Sequence, residues 1–198
     1  MKHHFAVSAC ILQKDARIGK IIGFYSVVFA AHTLLFFYSQ QYFADFGYNK
    51  VQISVIMLLV GGASCLGALA SAKMYRRFGK RCLIPETVII AAAILCYGSE
   101  KAGVAAAALM CAGFANAALY PVQSDSLNAL IPSEQRATLI SVDSMCFSIA
   151  MIVLFPLAGA FADRWGLKTV LLLLGAILLL FLLTVFCIEK ESFSSDHS

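Results

Sequence analysis

Three polar pairs, Tyr25–Ser26, His32–Thr33 and Ser39–Gln40, recur every seven residues. Seven residues are nearly two helical turns, so on an α-helix the pairs stack along one side. Such a row of hydroxyl, imidazole and amide groups suits hydrogen bonding to a polar solute or carriage of a proton. Gln41 next to Gln40 places two amides side by side near the end of the run. A second row, Asn116, Tyr120 and Gln123, falls at i, i+4 and i+7 on a face shared with Gly113. Contact with a substrate and hydrogen bonding between helices are both open to these residues. Two carboxylates lie in the apolar runs. Glu86 follows Pro85 at a helix start, where an anion complements the dipole and can meet Lys80 or Arg81, a structural role. Asp143 stands one heptad after Arg136, which makes it either an ion-pair partner or a proton or cation site.

Other chemistries find little support. Only His32 of the four histidines lies in an apolar run, and no HExxH is present, so no zinc site is expected. Gly62-Ala-Ser64-Cys65 has the small-residue spacing of a membrane serine protease elbow, but no later span carries a His to act as base. A P-loop is absent, which argues against a primary pump. The seven cysteines are odd in number, form no CxxC and sit mostly in apolar runs, the pattern of small hydrophobic filler. Val7-Ser8-Ala9-Cys10 looks like a lipobox, but the apolar stretch before it is too short for a signal peptide. No cofactor and no metal are implied.

The elements that must position these groups follow from composition. Of the 198 residues, 61% are hydrophobic and only 13% charged. A soluble domain carries roughly 25% charge, so lipid must solvate this surface. Six apolar runs approach the ~20 residues that a bilayer core requires: 21–41, 51–72, 82–99, 102–124, 137–162 and 169–188. The expected fold is an all-α integral membrane bundle over residues 21–188, with a basic cytoplasmic lead-in at 1–20 and a cytoplasmic tail at 189–198. The lead-in reads as an interfacial helix with Phe5, Ile11, Leu12 and Ile18 toward lipid. Ala63, Gly67 and Ser71, and likewise Ser141, Ser144 and Ser148, form small faces suited to close helix approach. With the N-terminus inside, the inner segments hold eleven of the fifteen Lys and Arg residues and the outer segments four, namely Lys50, Lys101, Arg164 and Lys168. The positive-inside rule then puts both termini in the cytoplasm of a cell with this protein in its inner or plasma membrane. The net charge of +4 is dispersed in short clusters, so no nucleic-acid partner is expected.

Two loops share a pattern. Ala72-Lys-Met-Tyr-Arg-Arg-Phe-Gly-Lys-Arg81 follows the second run and Gly159-Ala-Phe-Ala-Asp-Arg-Trp-Gly-Leu-Lys168 the fifth. Arg77 and Arg164, like Gly79 and Gly166, stand 87 residues apart. That offset is three helices, an odd number, so the second copy enters the membrane inverted. These loops resemble the G-x-x-x-D-R-x-G-R-R signature of major facilitator transporters. Gly159, Asp163, Arg164 and Gly166 match its skeleton, and Arg77, Gly79, Lys80 and Arg81 match its second part. Ala72 and Arg76 depart from it, which weakens any Asp-based latch at that loop. The segment from Ile131 to Ser141 and Phe155-Pro-Leu-Ala-Gly159 are similar to the family's passage from helix ten through helix eleven. The resemblance implies half of a major facilitator fold, two inverted three-helix repeats corresponding to helices seven to twelve of a bacterial-type member. It also implies a secondary transporter, not an enzyme, whose central cavity is lined by the helices carrying His32, Gln40, Gln41, Asn116, Tyr120 and Gln123.

The implied partners are the lipid bilayer, a small-molecule substrate and a second six-helix half, or else a second copy in a homodimer. A truncated, non-transporting product is the alternative. A lone half would turn the face bearing His32, Gln40, Asn116 and Tyr120 toward lipid. Few intramembrane charges and many aromatic residues, such as Phe29, Phe36, Phe37 and Phe147, suit a neutral or lipophilic-cationic cargo, as in an efflux system.

Overall fold

The computed structural model describes residues 16–78, 83–129 and 136–195. Among them are six α-helices and no strand: α1 (Ala16–Asp45), α2 (Lys50–Phe78), α3 (Leu83–Cys96), α4 (Ala102–Asn128), α5 (Arg136–Trp165) and α6 (Leu167–Ser195). A 3₁₀ turn, Tyr97–Ser99, extends α3. Backbone groups in hydrocarbon have no water to bond, so an apolar run must satisfy them within its own helix. Five of the helices are long and apolar enough to cross a membrane, and α3 with its 3₁₀ turn forms a shorter apolar segment, Ile84–Ser99.

Local chemistry sets the turns. At the end of α1, Gly47 takes φ +84°, and its N–H and that of Tyr48 donate back to the carbonyls of Ala44 and Phe43. Only glycine enters that left-handed region without strain. Asn49 then caps α2 reciprocally: the Gln52 N–H donates to its Oδ1, and its own N–H donates to Gln52 Oε1, both at 2.9 Å. Gly166, φ +82°, makes the corresponding turn between α5 and α6. Gly79, assigned the same part in the other loop, lies with Lys80 and Arg81 outside the described residues.

The packing carries the inverted repeat. α1 packs on α5 as α2 packs on α4; α1 packs on α6 as α3 packs on α4; α1 also meets α4, and α3 meets α6. Exchanging α1 with α4, α2 with α5 and α3 with α6 maps these six contacts onto one another, whereas the contacts of α5 with α6 and of α1 with α2 and α3 have no counterpart of that strength. The exchange is the 87-residue shift read from the loops, as Arg77 at the end of α2 and Arg164 at the end of α5 illustrate. The result is half of a major facilitator fold. α1, α3, α4 and α6 form its core, with Tyr25, Leu35, Ile94, Leu109, Leu119 and Leu178 buried in one cluster. The outer helices α2 and α5 are the least buried of the five long ones.

The small faces behave differently from one another. A Cβ on Gly67 would lie 2.1 Å from the Phe114 carbonyl oxygen, and Ser71 Oγ donates to the Ala118 carbonyl at 2.7 Å. The α2–α4 crossing therefore depends on the first stripe. Ser141, Ser144 and Ser148 instead lie exposed, and the hydroxyls of Ser141 and Ser148 bond back to carbonyls of α5 itself. Among the described residues no other helix covers that stripe, because α5 turns a different side toward α1. A second correction concerns Ile18. α1 starts at Ala16, and Ile18 packs with Ile22, Leu127, Leu139 and Val142, inside the protein instead of toward lipid. Phe5, Ile11 and Leu12 lie outside the described residues.

Candidate functional site

α1 and α4 run antiparallel, and the rings of Phe29 and Tyr120 meet across their seam with centroids 6.0 Å apart. One turn further along each helix stand His32, at i+3 from Phe29, and Asn116, at i−4 from Tyr120. These offsets keep both on the contacting faces. His32 Nε2 and Asn116 Oδ1 are buried, and among the described residues neither has a hydrogen-bond partner. The expectation that a lone bundle turns this whole face outward is thus corrected. Tyr120 is 63% exposed, while the polar atoms of His32 and Asn116 are withdrawn into the seam. A buried group left without a partner costs on the order of 1–3 kcal/mol. The seam therefore holds two unmet hydrogen-bonding groups at one depth.

The rest of the first row is mixed. Tyr25, Ser26 and Ser39 are buried, and the hydroxyls of Thr33 and Ser39 donate to carbonyls of their own helix, those of Phe29 and Phe36, at 2.7 Å. Gln40 is half-buried. Gln41 is exposed, and its Nε2 donates to Asp45 Oδ1 at 2.7 Å. The two adjacent amides therefore part company, because neighbours on a helix point about 100° apart.

Gln123 and Asp143, singled out separately in the sequence, come together. Gln123 is buried, and its Nε2 donates to Asp143 Oδ1 at 2.8 Å, joining α4 to α5. This amide, on another helix, takes the place suggested for Arg136. The apolar cluster of Ile18, Ile22, Leu127, Leu139 and Val142 closes the bundle at the same end. Glu86 is also buried, in the first turn of α3, with both carboxylate oxygens unpartnered among the described residues. Its expected partners, Lys80 and Arg81, lie outside those residues.

At the other end α1 and α5 are joined by Tyr38, whose hydroxyl donates to the Phe155 carbonyl at 3.1 Å while its ring stacks on Phe155 at 5.7 Å. Gly159 belongs to this contact, since a Cβ there would lie 3.3 Å from the Tyr38 hydroxyl. Asp163 and Arg164 are exposed, with the Arg164 guanidinium 5.8 Å from the Trp165 ring centroid. Arg77 is likewise exposed, at the end of α2. Sequence reasoning missed the bonds from Tyr38 and Ser71. Neither residue carries a signal within its own helix for the carbonyl it meets on another. Between α3 and α4, Glu100 adopts φ 56° and pairs with Lys168 at the start of α6. The hydrogen bond and positive charge of Lys168 hold the Glu100 carboxyl below its usual range.

These helices thus bring amides, an imidazole and a carboxylate into a largely apolar bundle, a suitable setting for a polar solute or a proton. No curated protein and no solved structure matches the chain. The family model described as Major Facilitator Superfamily matches residues 21–196, from α1 to the end of α6. The chain is a multi-pass membrane protein that belongs to the major facilitator superfamily, a family of transporters.

Proposed function

We propose that this chain acts as the C-terminal six-helix half of a secondary transporter, moving a small solute by alternating access against a second six-helix bundle. The observation that carries the reading is the α1–α4 seam, where His32 Nε2 and Asn116 Oδ1 are buried without partners beside the open Tyr120 ring. In this reading Gln40, Asn116 and Tyr120 meet the solute, and His32 serves as a hydrogen-bonding group. Asp143, held by Gln123, is the proton or cation site. The low burial of α2 and α5 supports a partner bundle against those helices. A second copy of this chain is the other arrangement that presents such a surface. Both termini face the cytoplasm of a cell whose inner or plasma membrane holds the protein, on the strength of the eleven-to-four charge asymmetry. The cargo is a neutral or lipophilic-cationic compound and the system an efflux type, supported by the aromatic lining of Phe29, Phe37 and Tyr120. No catalytic role is assigned.

The test is flux of a lipophilic cationic dye and of neutral solutes in proteoliposomes. Flux is expected when this chain is combined with a second six-helix bundle, or at densities that allow dimers. Flux from isolated monomers would overturn the two-bundle reading, and failure in every arrangement would overturn transport.

A further inference from the structure

Burial along α3 and its 3₁₀ turn picks out one side. Glu86, Ile90, Ala93 and Tyr97 stand at i, i+4, i+7 and i+11, and each is at most 3% exposed. That spacing keeps them on one face, the face that packs on α1, α4 and α6. The Glu86 carboxyl is therefore directed into the bundle and not along its surface, and neither of its oxygens has a partner among the described residues. Its neighbours on the stripe, Ile90 and Ala93, belong to the main apolar cluster and offer no side-chain donor. Of the helices packed on α3, α1 brings Lys20 and Tyr25 to this end of the bundle and α4 brings Asp125. Lys20 and Asp125 are exposed, while Tyr25 is buried in the same apolar cluster. α6 carries no charged residue from Thr169 to Thr184.

We infer that Glu86 is a proton-binding site, a carboxyl that holds its proton inside the bundle and exchanges it with water at the end where α3 begins. An ionised carboxylate withdrawn from water needs a counter-charge or several N–H donors, and among the described residues none reaches this one. A metal ion would need several further oxygen ligands, and no group of three or more His, Cys, Asp or Glu able to hold one occurs among those residues. A proton needs no second ligand. The step is a plain transfer: the carboxylic O–H gives its proton to water, and the carboxylate takes one back. The place of Glu86 in the first turn of α3 makes the exchange feasible, because helix ends fray and admit water. The N–H groups of that turn lack intrahelical partners and favour the transient carboxylate. The site is separate from Asp143, which stands on α5 and accepts from Gln123.

The experiment uses the full chain, purified in a detergent free of carbonyl groups, and reads the infrared C=O band of protonated carboxylic acids at neutral pH. No transport step enters, so the outcome is independent of whether the protein moves a solute. Asp45, Glu100, Asp125 and Asp163 are exposed, so Asp143→Asn leaves Glu86 as the enclosed carboxyl among the described residues. The Asp143→Asn chain should keep a band equal to one carboxyl per chain, and adding Glu86→Gln should remove it. In heavy water the band should move to lower frequency as its proton exchanges. Absence of the band from the Asp143→Asn chain would overturn the inference. So would a band that survives Glu86→Gln, or one that never responds to heavy water. Joint replacement Lys80→Gln and Arg81→Gln should leave the band unchanged; a band that emerges only when these cations are removed would mean that Glu86 is ionised and paired in the native chain, which overturns the inference as well. Where Glu86→Gln fails to fold, as judged by size exclusion, the Asp143→Asn band and its response to heavy water decide alone.

Discussion

The α2–α4 crossing offers a prediction of opposite sign at two glycines of one helix. A Cβ placed on Gly67 would sit 2.1 Å from the Phe114 carbonyl oxygen, whereas one on Gly62 would meet nothing within 4 Å. Ordinary contact begins near 3.4 Å, so Gly67→Ala forces the two helix backbones apart by more than an ångström. The separation also stretches the Ser71–Ala118 hydrogen bond, now 2.7 Å. Overpacking of this sort costs about 1–3 kcal/mol, while replacing a helical glycine by alanine returns roughly 0.5–1 kcal/mol. Gly67→Ala should therefore destabilise by about 1–2 kcal/mol and Gly62→Ala should stabilise by about 0.5–1 kcal/mol, by the same balance. Unfolding of both variants in mixed micelles at rising denaturing-detergent fraction measures the split. Two variants of equal stability, or a Gly67→Ala chain more stable than the native one, would refute the close crossing.

Gln40→Leu and Asn116→Leu should each lower transport more than the amount of folded protein; loss of both in proportion would make them packing groups. Asp143→Asn should keep the bond from Gln123, since an amide oxygen still accepts, and should flatten the pH dependence of transport; an unchanged profile would remove Asp143 from any proton path. Between α3 and α4 Lys168 depresses the Glu100 carboxyl, so this pair adds stability above the unfolded carboxylate pKa of ~4.3. That contribution disappears as pH falls through the lower folded value. Glu100→Gln should accordingly lose a small, salt-sensitive increment of melting temperature at neutral pH and none at pH 3; an equal loss at both would exclude the ion pair as its source.

Much of the fold was legible because the bilayer imposes it. Apolar runs with short polar connectors marked six helices, and the paired Arg-x-Gly loops marked the three-helix repeat whose α1–α5 and α2–α4 contacts correspond. The site was less legible, for a physical reason. A helix that is apolar on all sides carries almost no amphipathic signal, so its sequence does not say which side meets protein and which meets lipid. Ile18 was read as lipid-facing and is buried; Ser148 was read as a contact and is exposed. Partnership across helices was hidden in the same way. Gln123 and Asp143 were each visible as costly polar groups, but their bond depends on how α4 and α5 are rotated, which no spacing within either helix encodes.

The inverted repeat is the claim on which the rest stands, and Arg77 and Arg164 test it directly. They occupy equivalent places, at the ends of α2 and α5, yet inversion requires them to face opposite sides of the membrane. Single cysteines at these positions, in a chain otherwise free of cysteine, can be reacted in whole cells with a membrane-impermeant maleimide. Arg164→Cys should label at once and Arg77→Cys only after the membrane is permeabilised. Labelling of both from the same side would contradict the inverted arrangement.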